Sequence, residues 1–99
     1  GPYFFGIANK FDEVMQNLGD KPKVRIIRMR KVPFIDSTGI HNLEALCEQS
    51  AKEGIQVVLS GVNANVRKTL HKAGFNNVIK EEFICSNINE ALKKAQTLA

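Results

Sequence analysis

Short β-branched runs and longer stripes of helical period alternate along this chain, and glycine closes one stripe after another. Val24-Arg25-Ile26-Ile27-Arg28-Met29 is too short for a typical helix and rich in residues that favour a pleated surface. It reads as a strand between Pro22 and Pro33. Ile40, Leu43, Leu46, Cys47 and Ala51 then recur at helical spacing and stop before Gly54. The next run, Ile55-Gln56-Val57-Val58-Leu59, is almost continuously apolar, which predicts a strand covered on both faces and placed centrally. Asn63 stands where it can cap a helix carrying Val66, Leu70 and Ala73, and Gly74 closes that stripe.

Beyond Gly74 the pattern continues with less emphasis. Val78-Ile79 and Phe83-Ile84 predict a short strand or an extended connection. Ile88, Ala91, Leu92, Ala95 and Leu98 mark a final helix capped by Ser86 or Asn87, with Glu90 at capping-box distance from Asn87. Near the start, Tyr3-Phe4-Phe5 reads as a strand between Pro2 and Gly6. Ala8, Phe11, Val14, Met15 and Leu18 read as a first helix ended by Gly19.

Strands that alternate with helices pair through right-handed βαβ crossovers. The expected fold class is therefore α/β, a mostly parallel sheet of about four strands flanked by about four helices. Such a sheet leaves the aromatic strand at Tyr3 poorly covered unless another strand lies upstream. The sequence thus predicts a single domain over residues 1–99 that begins inside a longer chain, with its first strand missing.

With 99 residues the chain supports one hydrophobic core, and 43% hydrophobic with 24% charged residues is an ordinary globular balance. Its apolar runs fall far below the roughly 20 residues of a membrane span. No basic segment followed by an apolar stretch and a cleavage site opens it, so secretion is not indicated. Cys47 and Cys85 form no CxxC pair and are not spaced with His41 or His71 as metal ligands would be, so no metal or cofactor is expected and the thiols read as buried and reduced.

The net charge of +4 is unevenly placed. Lys21, Lys23, Arg25, Arg28, Arg30 and Lys31 are six of the fourteen basic residues. They read as a solvated strand edge, or as a contact for anionic lipid or an acidic partner. No aromatic residue is interleaved among them, which argues against nucleic acid.

Ligands and partners of open α/β sheets meet the carboxyl ends of the strands, where loops enter helix N-termini. Ile35-Asp36-Ser37-Thr38-Gly39 is such a place. Asp36 and Ser37 can satisfy free backbone donors at the helix start, and Gly39 lets another backbone or an oxyanion come close. A phosphate on Ser37 would add a charge of about −1.5 to −2 beside the positive end of the helix. The plain reading is that Asp36, Ser37 and Thr38 cap a helix and do nothing more.

Three segments change that balance. Val32-Pro33-Phe34-Ile35-Asp36-Ser37-Thr38-Gly39-Ile40, Gly1-Pro2-Tyr3-Phe4-Phe5-Gly6 and Gly61-Val62-Asn63-Ala64-Asn65-Val66 together resemble the STAS domain, above all the form at the cytoplasmic C-terminus of SulP-type sulfate and anion permeases. The resemblance implies a non-catalytic regulatory domain on the inner face of the membrane, itself soluble. Its implied partners are the membrane domain of the same permease and an unidentified regulatory protein. In the related soluble anti-sigma factor antagonists the serine after the aspartate is the phosphoacceptor. By that match Ser37 is the candidate switch, with Thr38 beside it. Asp36, Ser37, Thr38 and Gly39 are the candidate partner or weak nucleotide or anion contacts.

An enzyme finds little support in the residues. Asp36, Ser37 and His41 are the residue types of a hydrolytic triad but crowd onto one turn. No GxxxxGK[ST] or GxGxxG loop is present. A metal-dependent phosphoacceptor domain would need several carboxylates at strand ends, and only Asp36 is so placed. A soluble antagonist of the same fold, switched at Ser37, is the remaining alternative to a permease domain.

Overall fold

The computed structural model describes the backbone of residues 6–8 and the whole of residues 22–98. The strand expected at Tyr3-Phe4-Phe5 and nearly all of the first helical stripe lie outside these residues. Ala8, which the helical spacing claims for that stripe, belongs instead to strand β1 (Gly6–Ala8). It lies antiparallel to β2 (Val24–Arg28), with Gly6 opposite Arg28 and Ala8 opposite Ile26.

After β2 come helix α1 (Ser37–Lys52), strand β3 (Gln56–Ser60), helix α2 (Ala64–Lys72) and helix α3 (Ile88–Leu98). Strands β2 and β3 are parallel, with Ile26 paired to Val58. The described sheet runs β1-β2-β3, so β2 and not β3 is its middle strand. The apolar run of β3 misleads on this point because it reports what covers the faces of a strand, not what lies beside it. Val57, Val58 and Leu59 are indeed covered on both faces, being 1% exposed or less.

Between α2 and α3 the chain forms no full strand. Two 3-10 turns, Phe75–Asn77 and Glu81–Phe83, lead to Ile84, which makes a single parallel bridge to Leu59. Cys85 N–H donates to the Leu59 carbonyl and Val62 N–H to the Cys85 carbonyl, so this segment covers the outer edge of β3 near its end. Phe75 anchors it, with almost no exposed surface. Burying a side chain of that size contributes about 1.5–3 kcal/mol.

The helices are set by their caps and buried stripes. On α1 the buried positions are Gly39, Leu43, Cys47 and Ser50, one face at intervals of three and four. Asp36, Asn63 and Asn87 each accept the backbone amide three residues on, at 2.8, 2.7 and 2.9 Å. At α3 the Glu90 carboxylate returns to the amide of Ser86 at 3.0 Å, one residue earlier than a reciprocal capping box would have it. Helices α1 and α3 pack on β3, and α3 also on β2. The core joins Ile27, Met29, Leu43, Leu59, Leu70 and Phe75.

Candidate functional site

The carboxyl ends of β2 and β3 bring two loops side by side, residues 29–36 and 61–63. Met29 N–H donates to the Ser60 carbonyl at 2.7 Å, extending the strand pairing into the loops. Just beyond, Gly61 has φ +71 and lies so close to Arg30 that a Cβ there would meet the Arg30 nitrogen at 2.7 Å. Asn63 completes the junction, its amide donating to the carbonyls of Val32 at 3.1 Å and Pro33 at 3.3 Å.

The turn that begins α1 sits on this frame. Asp36 is the N-cap residue in extended conformation, with its Oδ1 accepting from the Gly39 amide and its carbonyl from Ile40. Ser37 and Thr38 follow as exposed residues of the first helical turn. Neither their hydroxyls nor their amides bond to another described residue, so both side chains face outward with no internal duty.

Gly39 serves a purpose other than the one its sequence context suggests. Its amide is engaged by Asp36, and it is buried with its Cβ direction blocked by Ile35 Cγ1 at 2.8 Å. The missing side chain makes room for Ile35 under the helix, rather than for an approaching ligand. Asp36 is turned to its own helix, and among the described residues no hydrogen bond joins Ser37 to His41. The three triad residue types are neighbours without a shared line of hydrogen bonds.

The basic cluster divides. Lys21 lies outside the described residues, and Lys23 is exposed before β2. Arg25 turns inward, its Nη1 donating to the buried Ser50 hydroxyl of α1 at 2.7 Å. Arg28, Arg30 and Lys31 are exposed at the carboxyl end, followed by Pro33 and by Phe34, which is 46% exposed.

A second polar centre escapes sequence reasoning. The Glu81 carboxylate gathers His71 Nε2 at 2.6 Å, Asn76 Nδ2 at 2.8 Å and Arg67 Nη1 at 2.6 Å. The hydrogen bond with His71, then that from Asn76, holds the Glu81 carboxyl below its usual range. Arg67 also donates to the Ile84 carbonyl and the Ser86 hydroxyl, binding the 3-10 segment to α2. The four-residue spacing of Arg67 and His71 was the available signal, but nothing local pointed it at Glu81. Alongside, a groove of about 590 Å³ runs from Arg67 to Lys93, Lys94 and Thr97, and Glu81, Glu82 and Glu90 balance its cations.

Both thiols are buried. Burial pushes Cys47 up to about 12 and also raises Cys85. Among the described residues no helix is long and apolar enough to cross a membrane.

Residues 1–95 match the STAS domain. The chain is 37% identical to a sulfate transporter family protein from Wolinella succinogenes whose crystal structure is known, with a TM-score of 0.76 over 92% of this chain and 75% of that one. It is also 37% identical to the STAS domain of a SulP transporter from Vibrio cholerae, with a TM-score of 0.73 over 91% of this chain and 70% of that one. A probable sulfate transporter 4.2 from Arabidopsis thaliana is 32% identical over 68 residues, 69% of this chain and 10% of that protein. The chain spans 10% to 16% of the length of the first curated relatives it matches.

Proposed function

The chain belongs to the STAS domain family, and from that premise we propose that it is the non-catalytic regulatory and docking domain of a SulP-type sulfate or anion transporter. On this reading it lies at the cytoplasmic face of the membrane as part of an integral membrane protein, with the membrane domain of the same transporter as its first partner. The names of the relatives support the transporter setting over a soluble antagonist.

The observation that carries the reading is the outward display of Ser37 and Thr38 on a turn whose other members, Asp36 and Gly39, are committed to holding it. A contact surface needs side chains free of structural duty on a rigid support. A phosphate at Ser37 would sit at the first turn of α1 beside its free amides. It would change the charge of the surface while leaving the cap intact. Ser37 is the switch position of this proposal, and Thr38 its neighbour.

Sulfate uptake by cells expressing the whole transporter tests it. Ser37→Asp and Thr38→Arg should change uptake or membrane abundance severalfold, while circular dichroism of the corresponding 99-residue chains stays that of the parent. Unchanged uptake and abundance in both variants would remove the turn from function. Peptide mass analysis of the native transporter that finds no phosphate at Ser37 or Thr38 under any growth condition would remove the phosphate switch alone.

A further inference from the structure

Charge is distributed around the carboxyl end with a bias that composition hides. No Asp or Glu occurs between Lys21 and Ile35, or between Gly54 and Lys80, so both loops of the candidate site come from acid-free stretches. Asp36, which ends the first of these loops, is bonded to the Gly39 amide. Arg28, Arg30 and Lys31 are exposed there, and Phe34 is one of two large hydrophobic side chains exposed among the described residues.

An exposed aromatic residue on a loose loop would mean little, but this loop is pinned along its length. Val32 and Ile35 insert into the core on either side of Pro33 and Phe34. Asn63 holds the carbonyls of Val32 and Pro33, Val32 N–H donates to the Met29 carbonyl, and Gly61 abuts the Arg30 backbone. The ordering cost of presenting Phe34 is therefore met by folding, which leaves more of any contact energy for binding.

We infer that the loop bearing Arg28, Arg30, Lys31 and Phe34 is a docking surface for an acidic protein segment that seats an apolar side chain on Phe34. The inference rests on the docking role proposed above and adds the chemistry of the partner. Arginine and aromatic side chains are the groups that anchor protein interfaces, while the surrounding cations steer an oppositely charged partner. A lipid surface fits less well. Arg25, in the middle of the basic run, is bonded to Ser50, so the cations do not form one continuous face along β2.

The test uses the isotope-labelled 99-residue chain and a synthetic dodecapeptide with Asp and Glu flanking a central Leu-Phe pair. Amide shifts should concentrate at residues 28–34, and binding should weaken as salt is added. It should also fall about fivefold or more with Phe34→Ala, with a peptide whose centre is Ala-Ala, and with the Arg30→Glu, Lys31→Glu double variant. Unshifted core amides would verify that Phe34→Ala keeps the parent fold. Absence of shifts at residues 28–34, or equal binding by Phe34→Ala, would overturn the inference. So would displacement of the peptide by phosphatidylglycerol-containing vesicles bound at the same residues. If the peptide fails while Ser37→Asp still alters uptake, the docking role of the turn stands and only the partner chemistry falls.

Discussion

The side-chain amide of Asn63 donates to the carbonyl of Val32 at 3.1 Å while its oxygen accepts the Val66 amide at 2.7 Å, so one residue both starts α2 and fixes the loop that leads into α1. The two strand ends of the candidate site are thereby a single structural unit. Replacing Asn63 with Ala should cost about 1–2 kcal/mol in urea unfolding, the range expected for a lost cap with its accompanying hydrogen bonds. Asn63→Ser keeps an oxygen for Val66 but cannot reach Val32. It should recover most of that stability while hydrogen exchange at residues 32–36 stays faster than in the parent.

Gly61 and Gly54 both have positive φ, +71 and +77, but differ in surroundings. A methyl group at Gly54 meets nothing within 4 Å, so Gly54→Ala should cost only the left-handed backbone strain, about 1–2 kcal/mol. At Gly61 the same methyl collides with the Arg30 backbone, and Gly61→Ala should cost at least about 3 kcal/mol. Equal losses in denaturant titrations would show that the two loops can part without penalty.

The depressed Glu81 carboxyl predicts acid sensitivity of a definite sign. Because its folded-state value lies below the ordinary 4.5, the carboxylate contributes stability above that pH, and the contribution is lost as pH falls through the folded value. The carboxylate is half exposed, so solvent limits the effect to less than about 1 kcal/mol. Glu81→Gln should be slightly less stable than the parent at pH 7. The gap should narrow as the solution is acidified below pH 4.5, as two-state urea titrations would reveal.

Cys47 and Cys85 should resist thiol reagents in the native protein at pH 8, because burial raises both thiols and hides them. Both should react once urea unfolds the chain. Fast native labelling of Cys47 would mean that α1 lifts from the sheet on a short timescale.

The site was only partly legible in the residues. Asp36, Asn63 and Asn87 could be read as caps because each bond spans three residues and needs nothing from the rest of the fold. That Asn63 also reaches Val32, thirty-one residues back, could not be read, since no periodicity records which loops become neighbours. Gly39 was recognisable as a glycine with a reason, but the reason, the Ile35 side chain beneath it, appears only when the turn is built.

What the sequence determined by itself is the order of the elements from β2 to α3, the side-chain caps of α1, α2 and α3 and the α/β class, because helical and strand periods and capping bonds are local properties of a few consecutive residues. What the tertiary structure decided is lateral and long-range. It placed β2 in the middle of the described sheet and drew Arg25 inward to Ser50. It gathered Arg67, His71 and Asn76 on Glu81, and left Arg30 and Phe34 facing out from a fixed loop. Those relations depend on which surfaces meet when the core closes, a geometry set by packing and not by spacing along the chain.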